Sequence, residues 1–120
     1  MIKFQNINRT LVVTGLATLA SLTLASGLAM VKFAGVLSSG DVDTYHFTVG
    51  RGEYTVSALG DGDVDIDAYV FDDCNELLGK DTLPDDEPVV TFYSDHAQTV
   101  TIKIKNAGRN SDAYSGNVSP

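Results

Sequence analysis

The chain has 120 residues, with sixteen acidic against eight basic side chains and a formal net charge of −8 at pH 7. That length holds one small domain, and the acidity excludes nucleic acid and anionic membrane surfaces as partners, since both demand basic patches. A single cysteine, Cys74, excludes an internal disulfide, so the fold must rest on its core, alone or with a bound ion.

Residues 1–29 read as a leader. Met1 to Arg9 carries Lys3 and Arg9 and no acid, and the apolar run "LVVTGLATLASLTLASGLAM" follows. A basic start, an apolar run and then small residues describe a secretory signal peptide, with cleavage after Gly27 or Ala29. The competing reading is an uncleaved anchor, because Leu11 to Val31 is long enough to cross a bilayer at about 1.5 Å per residue. Either way the remainder is exported, to the periplasm or beyond the cell, and a membrane is a partner only if the leader is retained. Leu28 stands where a lipoprotein signal needs cysteine and no twin arginine occurs, so neither lipidation nor Tat export is expected. All sixteen acids follow residue 40, whereas two of the eight basic residues lie in the leader. The exported part therefore has six basic residues and a net charge of −10, which favours solubility.

From Phe33 onward the apolar period is two. "DTYHFTV" places Tyr45, Phe47 and Val49 on one face and Thr44, His46 and Thr48 on the other. "GRG" at 50–52 is a turn, and "EYTVSAL" then turns Tyr54, Val56 and Ala58 inward. After "GDGD", the segment "VDIDAYVFD" sets Val64, Ile66, Ala68 and Val70 against Asp65, Asp67, Tyr69 and Phe71. "DDCNE" is a turn in which Asn75 can take the left-handed backbone conformation, and "LLG" is a short return strand. "LPDDEP" is a loop, "VVTFYS" and "QTVTIKIKN" are strands, "AGRNSD" is a polar turn, and "AYSGNVS" closes the domain. Seven or eight short strands with no helical period after the leader predict a single all-β antiparallel sandwich over residues 33–119.

Asp61, Asp63, Asp65 and Asp67 occupy every second position. On a strand such side chains stand about 6.8 Å apart, too far for two to chelate calcium at about 2.3–2.6 Å. They can converge only where the backbone turns, which it does at Asp61 and Asp63, with Asp65 at the edge. An EF-hand is excluded, because Ile66 holds the place of the required glycine and Asp72 that of the bidentate glutamate. The candidate that remains is a looser calcium site of Asp61, Asp63 and Asp65, joined by Asp41 or Asp43 from a neighbouring loop. Its competitor is a solvated strand face with turn-capping aspartates. No other cofactor is called for.

His46 and His96 are the only histidines, no H-E-x-x-H occurs, and Cys74 has no companion, so a transition-metal site is not expected. Neither G-x-S-x-G nor S-x-x-K is present, and no enzymatic activity is expected. Tyr45, Tyr54 and Tyr114 fall on apolar faces and belong to the core. Tyr69 and Phe71 share the outward parity of Asp67, either exposed or covered by a loop, and these three make the binding-patch candidate. Cys74 lies in an exposed turn, as a free thiol or as a bridge between two chains.

The stretch "GVLSSGDVDTYHFTVGRGEYTVSALGDGDVDIDAYVFDDCNELLGKD" resembles the bacterial pre-peptidase C-terminal domain family. The likeness rests on Gly35, Asp41, Asp43, Tyr45, Phe47, Val49 and Gly52, then on Asp63, Asp65, Ile66, Asp67, Tyr69, Val70, Phe71 and Asp72. The closing "YSGNV", with Tyr114 and Val118, resembles the family's last strand, whereas "HAQTVTIKI" lacks the Gly-x-Tyr that often precedes the penultimate one. The resemblance implies a jelly-roll-like sandwich and a secreted, non-catalytic accessory module that binds a protein or polysaccharide, calcium-stabilised as in some collagenases. The alternatives are a self-associating surface or adhesion protein and a trans-acting partner of a secreted peptidase.

Overall fold

The computed structural model describes residues 2–3, 10–13, 21–24 and 30–120 except 63. Eight strands run from residue 30: β1 (Met30–Leu37), β2 (Val42–Val49), β3 (Gly52–Leu59), β4 (Ile66–Phe71), β5 (Leu77–Asp81), β6 (Val89–Ser94), β7 (Gln98–Asn106) and β8 (Asp112–Ser119). They form two sheets, in the orders β1-β8-β3-β6 and β2-β7-β4-β5, and every pair among them is antiparallel. This is the strand order of a jelly roll, and no helix occurs among the described residues. The fold expected from the sequence is the fold observed.

Most of the leader, with the cleavage positions Gly27 and Ala29, lies outside the described residues. Its described pieces are short strands. Thr10–Val13 runs parallel to β1, Ser21–Leu24 runs parallel to β2, and Ile2–Lys3 flanks the latter.

Alternation along each strand builds the core. Tyr45, Phe47 and Val49 from β2, Tyr54 and Val56 from β3, Ile66, Ala68 and Val70 from β4, and Val100, Ile102 and Ile104 from β7 are all buried between the sheets. Phe33 joins the two layers, its ring 4.6 Å from that of Tyr45 and 6.3 Å edge-on to that of Tyr114. The ring fits because β8 has glycine opposite it. A Cβ on Gly116 would stand 2.5 Å from the Phe33 ring, in the position where the register pairs the two residues.

The turns follow the residues that make them. Asn75 takes φ +63°, and Asp72 Oδ1 accepts the N–H groups of Cys74 and Glu76 at 2.9 and 2.8 Å, closing the β4–β5 hairpin. The entry to β7, which has no Gly-x-Tyr, is held by side chains. Gln98 donates to Ser94 Oγ at 2.9 Å and accepts the Asp73 N–H at 3.0 Å, while Ser94 donates to the His96 carbonyl.

One expectation needs correction. Outward parity predicts a solvent-facing Asp67, yet only 7% of its surface is exposed. β4 lies inside its sheet between β7 and β5, so outward side chains are flanked on both sides, and Lys105 sits directly opposite Asp67 in the register.

Candidate functional site

The acids gather at one end of the sandwich, where the loops after β1, β3, β5 and β7 meet. Backbone bonds lace these loops together. Gly40 N–H reaches the Asn106 carbonyl, Ala107 N–H that of Asp65, Gly60 N–H that of Asp86, and Ile66 N–H that of Asp85, all within 2.9 Å. Asn106 is fully buried and its Nδ2 donates to the carbonyls of Leu37 and Asn110.

The five candidate calcium ligands separate within this end. Asp41 is exposed in the β1–β2 turn. Asp43 is buried on the inward face of β2 and accepts a 2.6 Å bond from the Tyr114 hydroxyl. Since that bond uses the Tyr114 proton, the Tyr45 hydroxyl is the donor in its contact with Tyr114. Asp61 turns to Asp112, whose Oδ1 accepts its N–H at 3.0 Å. Asp65 is half-buried beside Asp67, and Asp63 lies outside the described residues. Asp86 also stands at this end, accepting the Gly62 N–H at 3.1 Å. The sequence reading did not single out Asp112 or Asp86. Asp112 stands 51 positions from Asp61 in a segment that reads only as a polar turn.

Burial makes Asp43, Asp67 and Asp112 reluctant to ionise. Asp43 is pushed above the usual carboxylate range by desolvation, which outweighs the Tyr114 hydrogen bond acting the other way. Asp67 is raised by burial and then by Asp65, and Asp112 by burial and then by the Asp61 carboxyl group against it. Three oxygens in buried positions, Asp65 Oδ1, Asp67 Oδ1 and Asp112 Oδ2, have no hydrogen-bond partner.

The outer face of the β2-β7-β4-β5 sheet has another chemistry. The register sets Thr44, Lys103, Tyr69 and Lys80 in one row, and His46, Thr101 and Phe71 in the next. Tyr69 and Phe71 are half-buried between flanking strands, and the Lys103 ammonium lies 5.3 Å above the Phe71 ring. Thr101 Oγ1 and His46 Nδ1 are 3.1 Å apart. With Lys105 beside Asp67, half of the six basic residues after residue 29 stand on this face. The other sheet carries a shallow groove of about 340 Å³ over Ala34, Ser57, Leu59, Ser115 and Asn117, with Lys32 the one charged side chain lining it among the described residues.

At the opposite end, His96 lies between two carboxylates, with Nε2 3.0 Å from Asp73 and Nδ1 on Asp95. Asp73 and then Asp95 raise its pKa, and His96 lowers that of Asp73. Asp72, Asp73 and Cys74 bring donor atoms within 4.8 Å of one another, the one such trio among the described residues. Asp72 and Asp73 are already engaged in the turn and with His96. Asp73 and Asp72 push the exposed Cys74 thiol up.

No protein-family profile and no curated protein sequence matches the chain. Solved structures do. The pre-peptidase C-terminal domain of a collagenase from Bacillus anthracis aligns with TM-score 0.66 at 14% identity, over 84% of this chain and 94% of that one. PliG from Aeromonas hydrophila, a periplasmic inhibitor of g-type lysozyme, aligns with TM-score 0.60 at 15% identity, over 92% and 98%. The mitogen of Yersinia pseudotuberculosis aligns with TM-score 0.60 at 12% identity, over 75% and 84%. At these identities the likeness is one of fold, and the chain has the fold of a pre-peptidase C-terminal domain.

Proposed function

We propose that the chain is an exported, non-catalytic binding module whose ligand, a protein or polysaccharide, docks on the outer face of the β2-β7-β4-β5 sheet. In this reading calcium supports the acidic end. The observation that carries the proposal is the row of Tyr69, Lys103 and Lys80 with Phe71 beside it. Aromatic faces give apolar contact area at low entropic cost, and three lysines in an acidic chain direct the face toward ligands with negative groups. Export is supported by the leader's basic start, apolar run and small residues. The non-catalytic reading is supported by fold neighbours described as the pre-peptidase C-terminal domain of a collagenase and as a periplasmic lysozyme inhibitor. The inhibitor also supports a second reading, a trans-acting partner of a secreted enzyme such as a peptidase.

Affinity electrophoresis through gels cast with neutral or acidic soluble polysaccharides, alongside titration with acidic peptides, tests the face. Retardation or binding that is lost in both Tyr69→Ala and Phe71→Ala supports it. Binding equal to wild type in both variants, or none across the panel, overturns it.

A further inference from the structure

We propose that Asp112 and Asp61 hold a divalent cation of the calcium class between their carboxylates, with Asp86 adding negative charge from outside the ligand pair. This rests on the reading of the acidic end as calcium-supported and names different ligands for it. Asp112 is the first residue of β8 and only 1% exposed. One oxygen, Oδ1, takes the Asp61 N–H. The other, Oδ2, is buried without a partner. It lies over Gly60, where a Cβ would come within 2.4 Å of it and 3.0 Å of the Asp86 side chain. Thus the chain approaches Asp112 with the one residue that leaves room for its carboxylate.

The partners around Asp112 are acids. The Asp61 carboxyl group meets it side chain to side chain, and Asp86 adds a third negative field. No lysine, arginine or histidine forms an ion pair here among the described residues. A contact between two carboxylates is repulsive unless something positive lies between them, and that can be a shared proton or a metal ion. A proton would answer for one charge of the three. A divalent cation answers for two, and its oxygen preference matches an all-carboxylate donor set. Asp61 and Asp86 belong to the rim of the loops, with Asp61 exposed, so an ion has a path in and water can fill its remaining positions. The Asp72–Asp73–Cys74 trio lacks this feature, since its atoms are exposed and already bonded.

The test uses the full chain at pH 7.5 and calcium chloride as the probe, read by calorimetric titration and thermal melting. One site per chain is expected, with the melting midpoint rising by about 10 °C when calcium is a hundredfold above its dissociation constant and falling back with chelator. Asp112→Asn and Asp61→Asn should each abolish both signals, while Asp72→Asn leaves them intact and serves as the control for general surface charge. A shift that survives in Asp112→Asn but disappears in Asp41→Asn or Asp65→Asn overturns this site and leaves calcium support standing. No heat and no shift in the wild type overturn both. A midpoint that rises on acidification to pH 5 while calcium adds nothing identifies the shared proton, and overturns the cation.

Discussion

Tyr114 donates a 2.6 Å hydrogen bond to Asp43, a residue 71 positions earlier in the chain and in the opposite sheet. Both are buried, and the Tyr45 hydroxyl extends the chain of bonds. The first and last motifs of the sandwich are thereby tied together across the core. An inward carboxylate on β2, opposite Ile104 in the register, would otherwise be an unpaired polar group in the core, and such groups are strongly destabilising.

Tyr114→Phe should therefore lower stability by about 1–3 kcal/mol, the cost of leaving a buried acceptor unpartnered. The double variant Tyr114→Phe, Asp43→Val should recover part of it, because the orphaned carboxylate goes too. Urea unfolding of the wild type and the two variants checks this, and equal stability of the single and double variants would contradict it. The same link sets an alkaline limit. Burial, then Asp43 and Tyr45, hold the Tyr114 phenol far above its ordinary value of 10. With the folded pKa above the unfolded one, the contribution is complete below pH 10 and declines as pH rises past it. Thermal midpoints should fall above pH 10 more steeply in the wild type than in Tyr114→Phe.

Gly116→Ala tests the packing of the aromatic layer. The added methyl meets the Phe33 ring at 2.5 Å and the Ser57 carbonyl at 2.8 Å. Since the ring is locked against Tyr45 and Tyr114, overpacking should cost about 1–3 kcal/mol. Phe33→Leu in the same chain should return part of the loss. A Gly116→Ala protein as stable as wild type would show that the ring moves freely.

What could be read from the sequence was whatever period two dictates. Val64, Ile66, Ala68 and Val70 alternate with polar residues and all four are buried, and Asn75 sits where the turn needs a positive φ. Hydrophobic alternation marks the inward face only while inward residues are apolar. Asp43 shares the parity of Tyr45 and Phe47, but its polarity hides that it continues their row, and only Tyr114 makes the position tenable. Asp67 fails for the opposite reason. Its outward parity is legible, whereas the strands flanking β4 and the Lys105 opposite are products of tertiary pairing. The meeting of Asp61 with Asp112 has no local signature at all.

Asp67 offers a direct reading of that burial. Desolvation and then Asp65 raise its pKa. The folded state therefore binds a proton more readily than the unfolded chain, and stability falls as pH rises from the ordinary carboxylate value through the raised one. At pH 7, well above the ordinary carboxylate value, that upward shift counts against folding. Asp67→Asn should raise the melting midpoint at pH 7 and lose that advantage near pH 4. A variant less stable than wild type at pH 7 would mean that Lys105 offsets the burial.

Cys74 bears on whether two chains join. Asp73 and Asp72 raise its pKa, so less thiolate forms at neutral pH, and the thiolate is the species that attacks a disulfide or an alkylating agent. Its alkylation at pH 7.5 should be slower than that of a free cysteine peptide, despite full exposure. Asp73→Asn should accelerate it by removing the nearest negative charge, and should also lower the titration midpoint of His96, which Asp73 holds up. Following alkylation by mass and His96 by NMR in one variant ties both effects to one carboxylate. If the thiol quickened while His96 kept its midpoint, the Asp73–His96 contact would be absent in solution, and the turn that carries Cys74 would be open.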